Sequence, residues 1–114
     1  MVAEFGSVVL VNFDPSKGHE IKKTRPAVVV SNDVINFKSP LSVIVPLTTN
    51  LKYQNTLRFL LKKDKTNGLS EDSVIVLEQI KSIDKERIVA VLGKVTKEQM
   101  KGIQVGLDVV LNRY

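Results

Sequence analysis

The chain reads as a series of short, valine-rich apolar runs. They are VVLV at 8–11, AVVV at 27–30, VIVPL at 43–47, LRFLL at 57–61, VIVL at 74–77 and IVAVLG at 88–93. Each has strand length, favours β-branched residues and is bounded by turn formers. Their nearly continuous apolar character predicts strands buried on both faces or turned to a barrel interior, because a one-sided sheet would alternate cleanly. Breakers fall between them at Asp14-Pro15, Asn32-Asp33, Ser39-Pro40, Asn67-Gly68 and Asp84-Lys85, and VINF at 34–37 predicts a short helical turn. The last segment changes period. Thr96 and Gln99 stand as N-cap and N3 of a capping box. Met100, Ile103, Leu107, Val110 and Leu111 then recur as one apolar helix face. Gly102 and Gly106 lie four apart on this helix and permit close packing. Five or six short strands and one C-terminal helix predict a mainly β fold, a small, strongly bent β-barrel with the helix packed against it. Such a barrel must manage its edges by closure or by dimerisation. With no linker, repeat or low-complexity stretch, residues 1–114 are expected to form one domain.

Composition narrows the class. The 114 residues suffice for a modest core, and 43% apolar with 25% charged residues is ordinary for a globular protein. No apolar run approaches the roughly 20 residues needed to span a bilayer. The opening MVAEFGSVVLVNFD lacks a basic n-region, so a signal peptide is not expected. Without cysteine there are no disulfides and no thiolate metal sites, and a cytoplasmic protein is the simplest reading. The net charge of +5 and a pI near 9.6 favour anionic partners, nucleic acid first and acidic protein second. A lysine-rich surface with no such partner would carry the same charge.

Most catalytic kits are missing. The single histidine and the absent cysteine leave no zinc-cluster or thiol chemistry. No phosphate-binding GxxxxGK[ST] loop, GxGxxG fingerprint or GxSxG elbow occurs. What remains is the loop from Phe13 to Pro26. Lys17, Lys22, Lys23 and Arg25 stand there against Glu20, a cluster suited to neutralising phosphates, with His19 and the permissive Gly18 beside them. Arg25 precedes a proline, which pushes it into an extended conformation. Pro26 suits the first position of a strand, so Arg25 should be held at the mouth of that strand with its planar fork available to a phosphate. An ordinary solvated loop ending in a strand-start proline fits the same residues. Two further candidates are PLTTN at 46–50, where hydroxyls close a strand, and EQIKS at 78–82, where Glu78, Gln79 and Lys81 interrupt an apolar run. The latter residues must find partners if buried, or else face a groove.

Taken together, GSVVLVNFDPSKGHEIKKTRPAVVVSND at 6–33, VIVPLTT at 43–49 and SVIVLEQIKSIDKERI at 73–88 resemble the MazF/PemK toxin family in order and spacing, over nearly the whole chain. The resemblance implies an SH3-like, CcdB/PemK-type barrel with appended helices, commonly a homodimer. It implies a metal-independent endoribonuclease, without cofactor, that cuts single-stranded RNA at short sites. It also implies a cognate MazE-like antitoxin whose extended, often acidic tail occupies the RNA groove. It places the catalytic arginine at Arg25 and the catalytic threonine at Thr48, with Thr49 beside it. The loop carboxylate falls on Glu20, and His19 stands where many members have serine. The glutamine of the EQ segment falls on Gln79, expected beside the RNA together with Lys17, Gly18, Lys22, Lys23 and Thr49.

The implied chemistry suits the residues. The ribose 2′-OH is the internal nucleophile, so the protein needs only to take its proton, stabilise the phosphorane and protonate the departing 5′-oxygen. Arg25 suits the phosphate clamp and is a candidate proton donor, while Thr48 can orient a phosphate oxygen. The base is open between Glu20 and His19, whose imidazole has the closer intrinsic pKa. Aromatic residues are 5% of the chain, with Phe13, Phe37 and Tyr53 the few options for base stacking. Two other classes compete: a CcdB-like toxin of the same barrel type that poisons gyrase without cleaving RNA, and a non-catalytic nucleic-acid-binding barrel.

Overall fold

The structure is a computed structural model and describes residues 1–21, 23–54 and 58–114. Among these residues, seven strands and two α-helices follow in the order β1 (Ser7–Asn12), β2 (Thr24–Val29), α1 (Asp33–Lys38), β3 (Leu41–Thr48), β4 (Leu60–Leu61), β5 (Ser73–Ile75), β6 (Lys81–Asp84), β7 (Ile88–Lys94) and α2 (Lys97–Val110). The strands pair antiparallel in the order β4-β5-β3-β2-β1-β7, and β6 also pairs with β3. The expected bent barrel thus takes the form of a curled, mainly β sheet, with the C-terminal helix against it.

Both faces of this sheet are buried, which is why the strand runs do not alternate. Val8, Val28, Val45, Leu47 and Ile75 pack in one core. Val9, Val11, Ala27, Val29, Ile44 and Ile83 pack in a second. Neighbouring residues on β1, β2 and β3 therefore enter different cores, as pleating requires.

Helix α2 covers the first core through the buried Met100 and Ile103, with Leu107 and Val110 alongside. Its capping box is complete. The Thr96 hydroxyl accepts from the Gln99 amide at 3.1 Å, and the Gln99 side chain accepts from the Thr96 amide at 2.8 Å. Leu111, expected on the apolar face, is the C-cap and is exposed. The two glycines differ. A Cβ on Gly102 would meet Phe59 at an ordinary 3.6 Å, but one on Gly106 would come within 2.3 Å of a Leu77 methyl. Only Gly106 is required by close approach.

The strand expected at 57–61 shrinks to Leu60–Leu61, Leu57 lying outside the described residues. The helical turn expected at 34–37 is α1, capped by the Asn32 side chain on the Val34 amide at 2.7 Å.

The largest difference from the sequence reading lies at 74–84. β5 and β6 run along the same edge of β3 as one interrupted partner. From Leu47 to Ile44 β3 takes three steps, while the opposing chain takes six, from Ile75 to Lys81. The three extra residues leave the ladder as a 3₁₀ turn, Leu77–Gln79. The Val76 amide ties its start to the Pro46 carbonyl at 2.9 Å. Leu77 turns into the core under Gly106, and Glu78 and Gln79 turn outward.

Candidate active site

Pro26 is the third residue of β2 and not its first. It pairs with Leu10 of β1, whereas pairing to β3 begins only at Ala27. A residue without an amide hydrogen is tolerated there because that stretch lacks a second ladder partner. Arg25 accordingly stands on a strand held from one side, opposite Val11. On the other side, the β2–β3 register pairs Ala27 with Pro46. Continued two residues, it brings Arg25 level with Thr48, the last residue of β3. Two residues far apart in sequence thus meet at the same height on neighbouring strands.

Both line one open groove of about 1030 Å³. His19, Glu20 and Thr49 line it as well, with Glu78, Gln79 and Lys81, so the three stretches singled out in the sequence converge. Its lining includes Pro46 and Phe13, the latter a member of the second core. Phe13 is 1% exposed and serves as packing. Phe37 is exposed on α1, away from the groove lining. The Tyr53 side chain and the whole of Lys22 lie outside the described residues. Lys17, Gly18 and Lys23 occupy exposed parts of the loop and are not among the residues lining the groove.

The loop that carries His19 and Glu20 is held at its base, tip and return limb. At the base, the Phe13 amide donates to the Lys23 carbonyl, and the Lys23 amide to Asp14 Oδ1, each at 2.9 Å. Arg87 Nη1 donates to the carbonyls of Asn12 at 3.1 Å and Asp14 at 2.7 Å. At the tip, Glu20 Oε1 accepts from the Lys17 amide at 2.7 Å, closing a turn in which Gly18 takes a φ of +57°. Among the described residues no atom lies within 4 Å of where a Gly18 Cβ would stand, so Gly18 serves there through its backbone conformation. On the return limb, Gln79 Oε1 accepts from the Ile21 amide at 2.8 Å, and its Nε2 donates to the His19 carbonyl at 3.5 Å. Lys23 has a left-handed φ of +66°, a conformation an L-residue adopts at a cost.

Thr48 is 6% exposed, and its hydroxyl accepts from the Asn50 amide at 3.2 Å, which fixes the oxygen at the strand end. The groove also holds Arg58, which sequence reasoning did not single out for chemistry. Arg58 lay inside a run read as an apolar strand, and nothing local distinguished it. It pairs with Glu78, Nε donating to Oε2 at 2.7 Å and Nη2 lying 2.5 Å from the same oxygen. The hydrogen bond from Arg58 holds the Glu78 carboxyl below its ordinary pKa, against a desolvation that pushes the other way. Among the described residues no group of three or more His, Cys, Asp or Glu could hold a metal ion, and no helix is long and apolar enough to cross a membrane.

Residues 4–111 match the family model described as PemK-like, MazF-like toxin of type II toxin-antitoxin system. The chain is 30% identical to Endoribonuclease EndoA of Bacillus subtilis (strain 168), covering 97% of this chain and 96% of that protein. It is 31% identical to Endoribonuclease MazF of Staphylococcus epidermidis, over 93% and 88% of the two. The crystal structure of MazF from Deinococcus radiodurans superposes with a TM-score of 0.85 at 25% identity, covering 98% of each chain. With its curled sheet, its C-terminal helix and the groove between Arg25 and Thr48, the chain belongs to the PemK-like, MazF-like toxin family of type II toxin–antitoxin systems.

Proposed function

We propose that this chain, an endoribonuclease of that family, cuts single-stranded RNA at short sites without a metal ion. The observation that carries the reading is the placement of Arg25 level with Thr48 in one open groove. The ribose 2′-oxygen attacks the adjacent phosphorus, the bond to the 5′-oxygen breaks, and the products are a 2′,3′-cyclic phosphate and a 5′-OH. Arg25 presents its planar fork to the phosphate as negative charge builds and stands ready to give the 5′-oxygen a proton. Thr48 orients a non-bridging oxygen with a hydroxyl whose position the Asn50 amide already fixes. His19 and Glu20 line the groove and can take the 2′-OH proton, whereas Glu78, another carboxylate in the lining, is engaged by Arg58. Glu20 already spends one carboxylate oxygen on the Lys17 amide, which favours His19. Gln79 holds the limb that carries both.

In its family's setting the chain is countered by a cognate antitoxin protein, whose acidic tail would compete for the same cations. Val89 and Val91 face outward on β7, an edge strand of the sheet, which supports a homodimer. The cytoplasm is the compartment that supplies messenger RNA.

The test is incubation of purified protein with mixed single-stranded RNA in EDTA, followed by mapping of the ends. Cuts at a short motif with cyclic-phosphate 3′ ends are expected, and Arg25→Ala and Thr48→Ala should abolish them while remaining folded. Absence of cleavage would return the chain to a gyrase-poisoning or purely binding role. Binding should also weaken as salt rises, and a flat response would count against a phosphate-lined groove.

A further inference from the structure

We propose that Arg58 and Glu78 form a latched phosphate site on the groove wall, in which Glu78 occupies Arg58 until an RNA phosphate displaces it. The proposal rests on the RNA-cleaving reading above and adds a site that this reading does not need. Arg58 Nε and Nη2 both approach the same Glu78 oxygen, Oε2. That arrangement is not the parallel two-oxygen fork that makes arginine pairs strong, and a phosphodiester with two non-bridging oxygens can offer that fork.

The partners also differ in exposure. Arg58 is the better buried, with 22% of its side chain exposed against 38% for Glu78. Its backbone lies beside Phe59, whose carbonyl accepts from the Ile75 amide at 3.0 Å, so the arginine is anchored to the sheet. Glu78 rides on the 3₁₀ turn outside the ladder, on the more exposed side of the pair. A pair this exposed is cheap to separate. Among the described residues, the remaining charged groups lining the groove are Arg25, Lys81 and Glu20. Lys81 adds to the attraction for the RNA backbone, whereas the edge of Arg58 turned to Glu78 is reached only through exchange. Glu78 thereby weakens binding of polyanions in general and favours a strand whose phosphate sits in register with Arg58.

The experiment measures binding of a 2′-fluoro oligonucleotide, which lacks the nucleophile and cannot be cut, so the outcome is independent of cleavage. Glu78→Gln keeps the side-chain shape and an acceptor. It should bind severalfold more tightly at low salt, both alone and in a Lys81→Gln background, and the gain should vanish in an Arg58→Gln background. If removing Glu78 acted only by changing net charge, the gain would be the same in all three. Such equality, or no gain at all, overturns the proposal. On the wild-type protein, the Arg58 Nε–H resonance should shift on adding the oligonucleotide and not on adding sodium chloride, and an unmoved resonance also overturns it. Cleavage of ordinary RNA by the wild type in EDTA tests the parent reading separately.

Discussion

Gln79 and Ile21 are joined by a 2.8 Å hydrogen bond that spans 58 residues of sequence, tying the wall of the groove to the loop that carries His19 and Glu20. The side chain expected to stand beside RNA is committed to backbone on both of its amide atoms. Gln79→Leu should release the return limb. A hydrogen bond of about 1 kcal/mol corresponds to roughly fivefold faster exchange of the Ile21 amide. Gln79→Glu retains the acceptor for Ile21 and should preserve most of the protection. Equal exchange in all three proteins would show that the loop is held by its base and tip alone.

Arg25→Lys keeps the charge at the head of the groove but replaces a planar fork with a point charge. If the fork stabilises the phosphorane, single-turnover cleavage should slow by about 10²–10³ while binding of an uncleavable oligonucleotide changes little. A loss of binding without a loss in the chemical step would assign Arg25 to attachment.

Gly106→Ala tests the contact that seats the 3₁₀ turn. Its new methyl would lie 2.3 Å from a Leu77 methyl that is itself fully buried. Overpacking costs about 1–3 kcal/mol, partly offset by the roughly 0.5–1 kcal/mol gained on replacing a helical glycine. Thermal unfolding should show a net loss of stability. Because Leu77 opens the turn that carries Glu78 and Gln79, RNA cleavage should fall as well. A variant as stable as wild type would mean that Leu77 repacks freely.

Asp33 gives a pH signature. The hydrogen bond from the Phe5 amide, then one from Asn36, hold its carboxyl below the usual aspartate value, with Lys94 adding a smaller attraction. A carboxyl depressed in the folded state contributes stability in full above its unfolded value of about 3.9, and that contribution is lost as pH falls through the lower folded value. Asp33→Asn should therefore lower the melting temperature at neutral pH, and the gap should close under acid conditions below the ordinary aspartate range. A gap that persists unchanged there would remove Asp33 as its source.

Much of this was legible in the chain. β-branched runs marked the strands, their unbroken apolar character foretold two buried faces, and Thr96 with Gln99 marked the start of α2. The pre-proline position singled out Arg25. Pairing it with Thr48 needed either the family pattern or the β2–β3 register, because nothing local joins positions 25 and 48. Arg58 was illegible, since an arginine among Leu and Phe reads as a strand residue whatever it faces. The holding of the loop was equally hidden. Arg87, Asp14 and Gln79 act on it through backbone atoms of residues remote in sequence, and the left-handed turn at Lys23 has no glycine to announce it.

The excursion at Leu77–Gln79 has one more consequence. Ile75 and Ile83 are an even number of residues apart, and on an unbroken strand both would point the same way. They instead enter different cores, Ile75 beneath α2 and Ile83 with Val9 and Phe13. The turn therefore acts as a phase shifter, resetting the parity of the chain so that one stretch can serve both sides of a curled sheet. The residues left over by that reset, Glu78 and Gln79, reach the groove because the change of parity has no other use for them.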